Sequence, residues 1–171
     1  MTLVAVLPAL SGAQAFRAGA EQSLDWPPGI YDAEGSQRHP SVAARPSGFL
    51  VVWESVRALE PAQVYAMATT TSGTRVSAQA LPLIPQISAQ TSPSVAASAT
   101  GYVVVWAQGA AGVEDVVGLR VDDLGQPVDA VPFTIASGAG AQVEPSIACS
   151  GSSCMVAYSD RASGAGDIRV V

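Results

Sequence analysis

Apolar residues fall along this chain in short runs that return at a nearly fixed interval. One pair of runs reads Pro40-Ser-Val-Ala, then Gly48-Phe-Leu-Val-Val-Trp53. It returns as Pro93-Ser-Val-Ala with Gly101-Tyr-Val-Val-Val-Trp106, and again as Pro145-Ser-Ile-Ala with Cys154-Met-Val-Ala-Tyr158. The prolines are 53 and 52 residues apart, and an aromatic stands 13 residues after each one. A period near 50 made of strand-like segments predicts propeller blades or a related stacked array.

Within one copy, the first run is short and apolar, with Pro where a strand can begin without offering an N–H to a ladder. Small and polar residues follow as a hairpin turn. The next run is continuous, β-branched and aromatic, as in a strand covered on both faces. The pattern predicts third strands starting over 63–67, 115–119 and 167–171, turns around Gly73 and Gly125, and fourth strands near 80–84 and 131–135. No stretch carries helical periodicity with caps. The predicted fold is all-β: tandem four-stranded antiparallel blades, propeller-like and incomplete.

The copies also predict the organisation. Pro27 precedes Pro40 by 13 residues, as Pro132 precedes Pro145, so residues 16–39 are expected to hold the last strand of a preceding blade. Blade repeats span 40–92 and 93–144, and 145–171 forms a partial third. That is about two and a half blades, short of the four or more that close a ring, so the sequence reads as a piece of a longer array.

Residues 3–10 form an apolar run, and Ala13-Gln14-Ala15 has the small-x-small form of a signal-peptidase site. Residues 1–15 are therefore expected to be a signal peptide, although no basic residue precedes Arg17. The run is too short to span a bilayer. Cys149 and Cys154 are the only cysteines. In the repeat alignment, one ends a first strand and the other opens a second, so they face each other across a hairpin. A disulfide there closes a loop of about six residues and contributes roughly 2 kcal/mol. It implies an oxidising compartment, periplasmic or extracellular.

Charge narrows the partners. The 14 acidic residues outnumber 8 basic ones for a net charge of −6, and no basic run exists, which argues against nucleic acid. Charged residues are 13% of the chain, well below the roughly 25% of ordinary domains. His39 has no Ser or Cys partner at triad spacing. No cofactor is predicted. Asp115 and Asp167 recur just before the third strands, where an Asp accepts backbone N–H bonds from a turn. Calcium is the alternative at such converging carboxylates, but Asp122, Asp123 and Asp129 do not form a D-x-D-x-D loop. Trp53, Trp106 and Tyr158, fixed in register within apolar strands, read as packing between blades rather than a row for stacking sugars.

The run Pro145-Ser-Ile-Ala, hairpin, Met155-Val-Ala-Tyr-Ser-Asp160-Arg161, loop, Asp167-Ile-Arg169 resembles a blade of the sialidase-type propellers, found in tandem in large secreted bacterial proteins. The resemblance covers roughly residues 26–171. A blade of that family often carries an Asp-box, Ser-x-Asp-x-Gly-x-x-Trp. Here Asp123 and Gly125 remain without the Ser or the aromatic, and the first repeat keeps only Gly73. Sialidase catalysis also requires three arginines around a carboxylate, a Tyr–Glu pair and an Asp. Arg38 matches one arginine and Asp160 the position of an Asp, while no Tyr–Glu pair can be assigned. The expectation is thus a secreted, non-catalytic repeat segment, a scaffold or binding surface. Its partners are the rest of a longer propeller or another protein or glycan surface. A fragment of a sialidase-type hydrolase is the alternative.

Overall fold

A computed structural model describes residues 35–78 and 80–171. They contain no helix and form three antiparallel sheets, none closed on itself. The first sheet runs β1 (Ser36–Arg45), β2 (Gly48–Val56), β3 (Gln63–Thr69) and β4 (Leu81–Pro82), in that spatial order. The second repeats the plan with β5 (Gln90–Ser98), β6 (Gly101–Gln108), β7 (Asp115–Val121) and β8 (Phe133–Ala136). The third holds β9 (Gln142–Ser150), β10 (Ser153–Asp160) and β11 (Asp167–Val170). The proposed signal segment and the strand expected over 26–31 lie outside the described residues.

The first two hairpins need glycine where the second strand departs. Gly48 has φ 148° and Gly101 φ 156°. A Cβ on Gly48 would lie 1.9 Å from the Thr69 carbonyl oxygen, so no side chain fits at that turn.

Alternation along the strands gives every sheet two faces. Tyr102, Val104 and Trp106 of the second sheet pack with Leu50, Val52 and Val64 of the first. The opposite face of the second sheet, with Val105 and Val116, packs with Ile147, Val156 and Tyr158 of the third. The sheets therefore stack in series, with the middle one covered on both sides. Their first strands, β1, β5 and β9, run side by side.

The prolines do not begin the strands. β1 opens four residues ahead of Pro40, and β5 and β9 open three residues ahead of Pro93 and Pro145. Pairing breaks between Arg38 and Ser41, and again between Thr91 and Ser94. In the third sheet the break lies opposite Ala157–Ser159. Proline is tolerated mid-strand because a bulge leaves it no ladder bond to donate. The preceding residue takes a left-handed backbone each time: His39 (φ 53°), Ser92 (φ 52°) and Glu144 (φ 56°).

Candidate functional site

The bulges place three equivalent tripeptides, 39–41, 92–94 and 144–146, around one shallow depression of about 440 Å³. A left-handed conformation at a non-glycine residue costs about 1–3 kcal/mol. The three-fold recurrence shows that the surrounding contacts hold it in place. Two of those contacts are themselves repeated. Ser41 Oγ accepts the Val95 N–H at 3.2 Å, and Ser94 Oγ accepts the Ile147 N–H at 3.3 Å. The serine that follows Pro40 and the one that follows Pro93 thereby tie their sheets to the next.

A buried carboxylate anchors one end of the depression. Glu54, fully buried on β2, receives Arg38 Nη2 at 2.7 Å and Arg38 Nε at 2.8 Å on Oε1. Its Oε2 receives His39 Nδ1 at 2.9 Å and the Ser92 N–H at 3.1 Å. An ionised carboxylate only accepts, so His39 Nδ1 carries the proton here. Burial pushes the Glu54 pKa up, but the bonds from Arg38, His39 and Ser92, with the Arg38 charge, outweigh it and hold the carboxyl below its ordinary value. Ala107 and Ser159 occupy the corresponding positions of the other copies, so this anchor belongs to the first repeat.

At the far end, Arg161 Nη2 meets Glu144 Oε1 at 3.3 Å, both half-exposed. Asp160 does not pair with the adjacent Arg161. It binds Arg169 Nε at 2.6 Å and accepts the Ala162 N–H at 3.0 Å. The Ala162 bond, with help from Gln142 and Arg169, keeps its carboxyl below the usual range. The depression thus offers serine hydroxyls between a His–Arg end and a Glu–Arg end. That suits hydrogen bonding to a polar ligand.

The remaining predicted positions divide between packing and turns. Trp53 lies on β2 opposite Tyr65 and stacks on it with ring centroids 6.1 Å apart, and Trp106 lies on β6 opposite Val117. Tyr158 takes the same place on β10, half-buried against the second sheet. Asp115 and Asp167 open β7 and β11 opposite Gln108 and Asp160. The turn-capping role expected of them falls instead to Asp122, whose Oδ1 accepts the N–H groups of Leu124 (2.9 Å) and Gln126 (2.8 Å). Thr70 does the same in the first repeat, accepting the Thr74 N–H at 3.2 Å. Asp123 pairs with Arg45 Nε across the sheets at 2.7 Å, and Asp129 with Arg120. The acidic residues weighed for calcium therefore face separate partners. Among the described residues no three His, Cys, Asp or Glu side chains converge as a metal site. Cys149 and Cys154 sit opposite each other in the β9–β10 hairpin at disulfide distance, with sulfurs 2.07 Å apart.

Sequence reasoning missed a second repeated residue. Gln37, Gln90 and Gln142 each stand three residues before the proline. Gln90 is fully buried, accepting the Val64 N–H at 2.9 Å and donating to the Ile84 carbonyl at 2.9 Å. Its backbone N–H reaches the Ala62 carbonyl at 2.8 Å, as Gln142 N–H reaches Glu114 at 2.7 Å. Extending the alignment upstream of each proline would have found it. No family model, curated protein or solved structure matches the chain.

Proposed function

We propose that this chain is a secreted, non-catalytic, propeller-like repeat scaffold whose bulged first strands present a binding surface. One observation carries this reading. A constant frame, with the same bulge and the same left-handed position in all three copies and the same Ser contact in the first two, displays three different side chains, His39, Ser92 and Glu144, on one depression. Variable residues on a rigid β frame are how such folds recognise ligands. The blade reading is supported by the identical meander of the first two sheets and by the side-by-side first strands. Export is supported by the cysteine pair at disulfide distance in an exposed hairpin. The described residues include no helix long and apolar enough to cross a membrane. Ligands of the surface would be a protein or glycan rich in hydroxyl and charged groups, beside the further repeats of a longer array.

The sialidase-type alternative fits less well. Arg38 would have to clasp a substrate carboxylate, but its fork is already closed on Glu54, and Asp160 is held by Arg169. The test is binding of the full chain to a panel of immobilised envelope and host glycans, repeated with a His39→Ala/Glu144→Ala variant. Binding that the variant loses while keeping its circular-dichroism spectrum is expected. Sialoside hydrolysis by the chain, abolished in Arg38→Ala, would overturn the non-catalytic reading, and failure to bind any probe would sink the binding surface.

A further inference from the structure

The chain has a single histidine, and the fold decides which of its ring nitrogens holds the proton. His39 Nδ1 lies 2.9 Å from Oε2 of the buried Glu54, while Arg38 occupies Oε1 of the same carboxylate. A carboxylate held in this way only accepts, so Nδ1 donates, and in the neutral ring Nε2 keeps a lone pair. Nε2 sits across the ring from the buried partner, and the His39 side chain is 54% exposed. It has no hydrogen-bond partner among the described residues. The end of the depression formed by His39 therefore accepts a hydrogen bond and does not donate one.

The opposite end behaves alike. Glu144 is exposed, gives Oε1 to Arg161 at 3.3 Å and keeps Oε2 for whatever enters. Between the two ends the hydroxyls donate. Ser41 and Ser94 each already accept an N–H, which leaves their own hydrogens to give. Pro93 and Pro145 are buried and line the same depression with ring carbon. Its volume of about 440 Å³ falls within the range of roughly 300–1,000 Å³ usual for small-ligand sites.

Accepting ends, a donating middle and apolar ring carbon make the depression selective. A ligand must bring hydrogens to both ends and lone pairs to the middle. Sugar hydroxyls supply both, because each is donor and acceptor at once. A carboxylate or sulfate does not: its oxygens would face the Nε2 lone pair at one end and the Glu144 charge at the other. The net charge of −6 adds a field of the same sign. We propose that the depression is a subsite for a hydroxyl-rich, non-acidic glycan, and that His39 and Glu144 are the residues that turn acidic sugars away. Glu54 touches no ligand in this arrangement; it is the positioning residue that fixes the His39 tautomer. The inference rests on the binding-surface reading and narrows it to one ligand class.

With one histidine, a long-range 1H–15N correlation of the untagged, labelled full chain reports His39 directly. At a pH of about 8, where imidazole is neutral, the ligand-free chain should show the Nδ1–H tautomer. Maltohexaose, mannohexaose and cellohexaose serve as neutral probes, oligogalacturonate and sialyllactose as acidic ones. A neutral probe should shift the Nε2 signal, and the acidic ones should bind at least about tenfold more weakly, the equivalent of one unmet hydrogen bond. Glu144→Gln, at an exposed position, should narrow that gap without disturbing the circular-dichroism spectrum. Glu54→Gln brings an amide that can donate to Nδ1, so the ring should change tautomer and lose affinity for the neutral probe. Should Glu54→Gln misfold, the wild-type tautomer and Glu144→Gln still decide. An Nε2–H tautomer in the ligand-free wild type, acidic probes bound as tightly as neutral ones, or neutral probes that leave the His39 signals unmoved would each overturn the proposal. The two readings fail separately: a chain that binds a panel glycan with His39 unmoved loses this subsite and keeps its binding surface, whereas a chain that binds no probe loses both.

Discussion

The two junctions of the stack are built from the same repeat, yet they are held in different ways. The first-to-second junction is large and heavily tied. It buries Trp106 and Tyr102 with Leu50 and Val52, and it is crossed by Glu54 to Ser92 and by Gln90 to Val64. Arg45 adds bonds to the carbonyls of Ser98 and Gly101, an ion pair to Asp123 and a position over the Tyr102 ring. The second-to-third junction is leaner. It buries Val105, Val116, Ile147 and Val156, and its aromatic, Tyr158, is only half-buried. At the register position of Tyr102 it carries Cys154, bonded to Cys149. Where packing between sheets is thin, a covalent link holds the hairpin in shape. A constant backbone plan therefore allows each junction its own source of stability.

The strongest way to break this comparison is at the paired aromatics. Trp106→Ala empties a fully enclosed site and should cost about 3–5 kcal/mol, read from the denaturant midpoint. Tyr158→Ala should cost clearly less, because its ring is half in water and loses less buried surface. Equal losses would mean that the two junctions carry the same load after all.

Next in size is the buried carboxylate. Glu54→Ala strips the Ser92 N–H, Arg38 and His39 of their acceptor and should cost roughly 1.5–3 kcal/mol, the range for hydrogen bonds to a charged group. Its folded pKa is depressed, so its contribution is fully present above the unfolded carboxyl pKa. It is lost as pH falls through the lower, folded value. Wild type should therefore lose stability on acidification through that window, and Glu54→Gln should flatten this part of the profile. An unchanged pH profile in the Gln variant would remove Glu54 from the junction's electrostatics.

These two sites also mark what the sequence could and could not disclose. Trp106 was legible as junction packing because a strand's period is local and its register repeats after 53 residues. The role of Glu54 was not, because Arg38 and His39 reach it only through the β1–β2 register upstream of the bulge, and Ser92 only after two sheets stack. The bulges stayed hidden for a related reason. A proline at the head of an apolar run reads as a strand start, whereas the left-handed residue before it lets pairing continue upstream to Ser36, Gln90 and Gln142. The fourth strand of the first sheet shrank to Leu81–Pro82, since Pro82 offers no N–H to extend a ladder. Hairpins and alternation are written in neighbouring residues; the depression is written in three places over 100 residues apart at its extremes, from 39 to 146.

A smaller effect sharpens the contrast at the hairpin. Replacing Cys149 and Cys154 together by Ala frees a loop of about six residues and should lower stability by about 2 kcal/mol. The same loss should follow from adding reductant to wild type, with none in the double variant. Sensitivity of the double variant to reductant would place the effect elsewhere than in this bond.

The smallest expected effect is the most discriminating, because it compares one residue in three settings. Ser41→Ala and Ser94→Ala each remove the acceptor of a bond between sheets, at 3.2 and 3.3 Å. Each should cost about 1 kcal/mol, the net worth of a neutral hydrogen bond whose donor is left without a partner. Ser146 sits in the same bulge with its hydroxyl exposed to water, so Ser146→Ala should leave the unfolding midpoint of the dilute chain unchanged. Measured under one buffer and at one low concentration, the three variants separate the serine's intrinsic preference for the bulge from its bond to the next sheet. If all three lose the same amount, the serine serves its own turn and the tie between sheets contributes nothing. If only the first two lose stability, the repeat is joined sheet to sheet by this hydroxyl, and its third copy is left with an acceptor to offer.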